Sequence, residues 1–130
     1  MAALLWSRHE HWPRAKVWFE GADDEQFFFC RFTQLTVLRL LTTERIMGKD
    51  AVSMSRAWSL WDEVWSDDRV AYLPEPAGLE QELRWRTRLS SRSPKMWADA
   101  YLLAFASVTG LKFVTFDQAL RTRGLDVLVL

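Results

Sequence analysis

Short apolar runs with strand character alternate along this chain with segments patterned as helices, and that alternation is what most restricts its fold. The strand candidates are residues 26–32, 69–73, 112–116 and 126–130. The first is almost continuously apolar and rich in Phe, which suits a strand buried on both faces. The second is closed by Pro74 and Pro76. Residues 9–20 read as a helix, with Pro13 in its first turn and Trp12, Ala15, Val17, Trp18 and Phe19 supplying apolar contacts. Thr33 can cap a helix reaching Thr43, with Leu35, Leu38 and Leu41 facing inward. Ser53 opens the clearest amphipathic helix: Met54, Trp58, Trp61 and Trp65 form one stripe, against Arg56, Asp62, Glu63 and Asp67 on the opposite side. That stripe reads as core or partner packing rather than base stacking. A helix over 78–90 follows. Then Ser93 as cap and Pro94 at the first helical position open a helix running to Thr109, stopped by Gly110. This order predicts an α/β domain with a mainly parallel sheet.

With 130 residues, no repeats and no linker, the chain is read as one domain, 1–130. Cys30 is the only cysteine, so no intrachain disulfide is available, and its setting in FFFCRF suits an inert core thiol. No apolar run reaches the roughly 18 residues of a membrane span, and residues 1–6 lack the pattern of a signal peptide. A cytoplasmic protein is the expectation. The net charge is zero, so nucleic acid is not favoured globally. The charges are nonetheless clustered. Acids gather at Glu20, Asp23, Asp24 and Glu25 and at Asp62, Glu63, Asp67 and Asp68. Arg84, Arg86, Arg88, Arg92 and Lys95 form a basic stripe facing Glu82 as its counter-charge. Such a stripe can bind phosphate, or can simply be a solvated helix face.

The chemistry concentrates near the C-terminus. Residues 96–111 hold one formal charge, Asp99, among Trp97, Ala98, Ala100, Tyr101, Leu102, Leu103, Ala104 and Phe105. A carboxylate there is costly unless it is paired, hydrogen-bonded or bound to a metal. Arg39 or Lys95 could pair with it structurally. Asp117 follows the apolar strand 112–116, at the end of a strand where parallel sheets bind ligands. It could equally cap Gln118-Ala119-Leu120. Asp99 at a helix start and Asp117 at a strand end can face the same sheet edge. Two converging carboxylates call for a cation between them, and oxygen ligands favour Mg²⁺ or Mn²⁺. The end of the 26–32 strand places Thr33 and Gln34 at that edge. His9 and His11 flank Glu10 but have no further ligands for zinc, so they read as surface or turn-capping residues.

The stretch SPKMWADAYLLAFASVTGLKFVTFD, residues 93–117, resembles the C-terminal active-site half of PIN domains of the VapC toxin type. FCRFTQLTVLRLLT, residues 29–42, is similar to their second strand and following helix, and HEHWPRAKVWF, residues 9–19, to their first helical region. The resemblance covers nearly the whole chain, and its Trp-x-Asp-Ala-Tyr and Val-Thr-Phe-Asp pieces are fairly specific. It implies a three-layer α/β/α fold, commonly a homodimer, and metal-dependent endonucleolytic cleavage of RNA with Mg²⁺ or Mn²⁺. Asp99 matches the family's acid in the helix, Asp117 its acid after the next strand, and Thr115 a hydroxyl residue beside it. Asp99 and Asp117 are then the metal ligands. Lys95, Arg84, Arg88 and Arg39 are candidates to hold the RNA backbone.

Two departures from the family accompany this reading. Gln34 stands where many PIN domains carry a Glu, so the site has less negative charge. The family also opens with an apolar strand ending in Asp-x-Asn, whereas residues 1–6 already resemble the helix that follows; the expectation is a PIN-like domain lacking the usual first strand. The leading function is the toxin ribonuclease of a type II toxin–antitoxin pair, with RNA as substrate and a cognate antitoxin as partner. The alternative is a catalytically impaired module that binds an antitoxin or self-associates through Trp58, Trp61 and Trp65.

Overall fold

A computed structural model describes residues 2–22, 25–90, 92–122 and 126–130; Met1 and the Asp23 and Asp24 of the acidic cluster lie outside them. The chain forms two compact units, Met1–Pro74 and Glu75–Leu130. Each pairs its strands in parallel, as the mixed α/β pattern requires.

In the first unit, α1 (Ala2–Leu5) and α2 (Trp12–Glu20) precede β1 (Phe27–Phe29), α3 (Arg31–Leu41), α4 (Glu44–Met47), α5 (Met54–Trp65) and β2 (Val70–Tyr72). Phe27 pairs with Val70 and Phe29 with Tyr72. The core joins Val37 and Leu41 of α3 to Met47 of α4 and Ala57 and Trp61 of α5, with Phe29 and Leu38 packed against it. Ser53 caps α5 as its sequence position predicts, its hydroxyl accepting from the Arg56 N–H at 3.2 Å.

Five expectations need correction here. The strand over 26–32 shrinks to Phe27–Phe29, because Cys30 is the last extended residue (φ −105°, ψ 170°) and α3 begins at Arg31. Thr33 is therefore inside the first turn and not its cap. Leu35 is 58% exposed. Residues spaced by three drift about 60° around a helix at each step, so Leu35, Leu38 and Leu41 cannot share one narrow line. Gln34, Val37 and Leu41 take the buried side instead. For a like reason Val17 faces outward while Ala15 is buried. The Trp stripe of α5 is also divided: Ala57 and Trp61 are buried, but Met54, Trp58 and Trp65 are exposed.

Arg69 ties the unit together. Its guanidinium grips the Asp67 carboxylate at 3.0 and 2.8 Å and donates to the carbonyls of Phe19 and Ala22 at 2.9 and 3.1 Å. It lies 4.4 Å from the Phe19 ring.

The second unit contains α6 (Leu79–Arg86), α7 (Met96–Thr109), β3 (Phe113–Thr115) and β4 (Val127–Val129). The α6 helix is shorter than 78–90: Thr87 ends it, its hydroxyl turning back to the Leu83 carbonyl at 2.8 Å. The α7 helix starts at Met96, later than a Pro94 start, because Ser93 to Met96 close a turn first, with the Met96 N–H on the Ser93 carbonyl at 3.1 Å. Gly110 ends α7 at φ 68°, where a side chain would be strained. Buried Ala100, Leu103, Ala104 and Phe105 form the inward side of α7.

The Asp67–Arg69 contact predicts a pH signature. Hydrogen bonds from the Arg69 side chain and then its backbone N–H hold the Asp67 carboxyl down at about 2, below the ordinary 3.8. The folded form thus prefers the ionised carboxylate, so this stabilisation is complete above pH ~4 and fades as pH falls toward 2. Asp67→Asn is expected to cost about 1–2 kcal/mol at neutral pH. Denaturant melts of both proteins from pH 7 to 2 check it: the gap should close at the acid end, and a gap that stays constant would refute the assignment.

Candidate active site

Asp99 lies in the first turn of α7, half-buried, directly before the buried Ala100. Among the described residues of its unit it makes no hydrogen bond and no ion pair, and Lys95, one turn back, is exposed and does not reach it. Structural pairing with Lys95 is therefore not what holds this acid. A carboxylate half out of water without a partner carries an uncompensated desolvation cost.

Asp117 follows β3 and is exposed. Its Oδ1 accepts from the Ala119 N–H at 2.8 Å, capping a single 3₁₀ turn over Gln118–Leu120. Its own N–H donates to the Thr115 hydroxyl at 3.1 Å. Capping is thus real, and it occupies one oxygen of the two. The other has no partner among the described residues and can take a ligand while the cap persists.

Chain lengths allow these two acids a similar level. From the Gly110 reversal, Asp99 is about 16 Å up α7 at 1.5 Å per residue. Asp117 lies two residues past the end of β3, at most about 17 Å along the chain from Lys112. The α7 helix packs on β3. Among the described residues no three His, Cys, Asp or Glu side chains converge as a metal set. The oxygen donors present, two carboxylates and the Thr115 hydroxyl, suit a hard divalent ion in kind, though they are few.

Gln34, in the first unit, is 7% exposed, and its side-chain Oε1 accepts from the Arg31 guanidinium. Arg31 also lies 5.1 Å from the Tyr72 ring. The amide oxygen that a cation would use is thus engaged by a positive group, which sequence reading missed although a spacing of three along a helix permits it.

The basic stripe is also altered. Arg84 pairs with Glu80 at 2.6 Å and Arg86 with Glu82 at 2.8 Å, so Glu82 is not the sole counter-charge. Arg88 lies beyond the end of α6, so Arg84 and Arg88 do not share a helical face. Arg88, Arg92 and Lys95 are exposed and make no ion pair among the described residues. Arg39, exposed near the end of α3, is likewise unpaired within its unit. The signal for Glu80 was legible: Glu followed by Arg four residues later is a favoured helical pair.

No family model matches the sequence. Two curated proteins of Mycobacterium tuberculosis do. Ribonuclease VapC41 is 35% identical over 127 residues, 94% of this chain and 87% of that protein. Ribonuclease VapC44 is 31% identical over 126 residues, 92% of this chain and 82% of that protein. The chain belongs to the VapC family of PIN-domain ribonucleases. The expected family is thereby met, along with the expected α/β class.

A VapC-type site predicts opposite stability effects at its two acids. Asp99→Asn removes an unpaired, half-buried charge and is expected to leave the melting temperature unchanged or raised. Asp117→Ala removes a cap and should cost about 1 kcal/mol, with Asp117→Asn costing less because the amide oxygen can still accept. Thermal melts in metal-free buffer distinguish the cases. A large loss of stability on Asp99→Asn would contradict the geometry above.

Proposed function

We propose that this chain is the endoribonuclease toxin of a type II toxin–antitoxin pair, cutting RNA phosphodiester bonds with Mg²⁺ or Mn²⁺. The observation that carries the reading is Asp99: an acid in an apolar helix without a partner among the described residues, in a chain similar to VapC ribonucleases over nearly its full length. Stability alone gives no reason for that placement.

Asp99 and the Asp117 oxygen left without a partner among the described residues would hold the ion, and a divalent ion there would supply an activated water and charge stabilisation at the scissile phosphate. Thr115 fixes the Asp117 backbone and so the direction of its carboxylate. Gln34, in the first unit, is bound by Arg31 and offers polarity without charge. Arg88 and Lys95, exposed and without ion pairs among the described residues, would hold the RNA backbone; Arg39, in the first unit, is a separate candidate. Arg84 would hold it less strongly because Glu80 competes for it. In this reading residues 1–130 act as one PIN-like domain in the cytoplasm, as a homodimer, restrained by a cognate antitoxin. No helix among the described residues is long and apolar enough to cross a membrane.

The second reading, a binding module without cleavage, draws on the Arg31–Gln34 contact and on the exposure of Met54, Trp58 and Trp65. Cleavage of a broad RNA panel decides between them. The nuclease reading expects cutting with Mg²⁺ or Mn²⁺, lost about 100-fold or more in Asp99→Asn and in Asp117→Asn. Inertness with both metals, beside tight antitoxin binding, would favour the module.

The Glu80–Arg84 pair gives a separate prediction. Glu80→Gln frees a cation, so single-stranded RNA should bind more tightly and the logarithmic salt slope should steepen by about 0.7. Titrations at several salt concentrations measure this. An unchanged slope would take Arg84 out of the RNA path.

A further inference from the structure

We infer that Arg31 and Gln34, at the start of α3, form an anion site for a phosphate of the RNA backbone; the inference rests on the ribonuclease reading given above. Arg31 is the first residue of α3, directly after the extended Cys30. Its guanidinium donates to the Gln34 Oε1 and lies 5.1 Å from the Tyr72 ring. Phe29 and Tyr72 are paired and end β1 and β2, so these contacts gather at the carboxyl ends of two parallel strands. Ligands of parallel sheets bind at such ends. Two contacts thus hold a long side chain in place, yet neither partner is negative. Arg31 makes no ion pair among the described residues, whereas Arg8, Arg69 and Arg86 are each held on a carboxylate.

The groups beside Arg31 also call for a negative ligand. Gln34 is 7% exposed, and its oxygen is taken by Arg31. Its amide nitrogen has no partner among the described residues and is not sealed from solvent, so a ligand can reach its donors. Cys30 gives α3 no side-chain cap, and no acid lies in the first turn; the Thr33 hydroxyl is 3.5 Å from the Cys30 sulfur instead. The first N–H groups of this 11-residue helix therefore keep no side-chain cap. A cation at this corner would face the guanidinium and find the amide oxygen engaged. An anion would meet a planar guanidinium fork, an amide donor and a positive helix end. In an RNA strand that anion is the phosphodiester. A protein carboxylate is the competing anion, which makes an acidic protein segment the outcome to test against.

The test measures binding of a short labelled single-stranded RNA by fluorescence anisotropy, in EDTA so that no metal contributes, at several salt concentrations. Arg31→Ala should weaken binding about 10-fold and flatten the logarithmic salt slope by about 0.7. Gln34→Glu sets a carboxylate against Arg31 and should produce the same loss with the guanidinium still present. A metal-ligand role for Gln34 expects the reverse: Gln34→Glu would tighten Mn²⁺ binding in isothermal titration and leave metal-free RNA binding alone. Circular dichroism checks that each variant is folded, and Gln34→Glu carries the test should Arg31→Ala unfold. The inference is overturned if Arg31→Ala keeps the parent's affinity and slope, or if Gln34→Glu follows the metal-ligand pattern. It is overturned in favour of a protein contact if Arg31→Ala loses binding of a polyglutamate peptide and not of RNA. If the parent chain neither binds nor cuts RNA with Mg²⁺ or Mn²⁺, the ribonuclease reading fails as well; metal-dependent cutting, with metal-free binding indifferent to Arg31, sinks the anion site alone.

Discussion

The first unit depends on one guanidinium. Its strands β1 and β2 are three residues each, so their ladder contributes few hydrogen bonds. What holds the C-terminal end of α2 and the start of β2 together is Arg69, which satisfies the Phe19 and Ala22 carbonyls while its charge is neutralised by Asp67. Helix ends leave carbonyls without partners, and Phe19 is one of these. The same side chain lies against the Phe19 and Phe27 rings at 4.4 and 5.5 Å, so the ion pair is shielded on its apolar side. Arg suits this place better than Lys because a planar fork can serve a carboxylate and two carbonyls at once.

The second unit is organised differently. Its α7 helix is apolar nearly all round, and Ala104 is fully buried. Small residues at Ala100 and Ala104 allow close approach, while Leu103 and Phe105 supply area. Within that economy Asp99 is the exception. It sits one position before the buried Ala100, near enough to the helix start for the dipole to favour a negative charge.

How much of this could be read from the residues follows from range. Alternation of strand and helix, the Ser53 cap and the Gly110 stop are local signals, and each appears where expected. Strand lengths were not legible, because an apolar run such as 26–32 looks the same whether its last residues continue a strand or begin a helix. The extended Cys30 followed by helical Arg31 is a tertiary choice. The pairs Glu80–Arg84, Glu82–Arg86 and Arg31–Gln34 were readable at their spacing but compete with the idea of a free basic stripe or a free amide. At the acids, residue type and order singled out Asp99 and Asp117 as candidates; no pattern in the sequence could say that one would make no hydrogen bond or ion pair among the described residues and the other would be a cap.

Capping and ligation at Asp117 are compatible, and their combination has a consequence for the site. An exposed aspartate on a loop normally samples several rotamers, and a metal must select one of them. Here Oδ1 is fixed by the Ala119 N–H, and the backbone of the same residue is fixed by the Thr115 hydroxyl. The remaining oxygen is thereby oriented, which would reduce the ordering cost of the ion binding proposed above. Asp99 reaches similar order by another route, since a helix restricts its backbone and its first side-chain torsion. If the two acids hold an ion as proposed, such preorganisation would compensate in part for their low charge, because neither would have to be gathered from a disordered state.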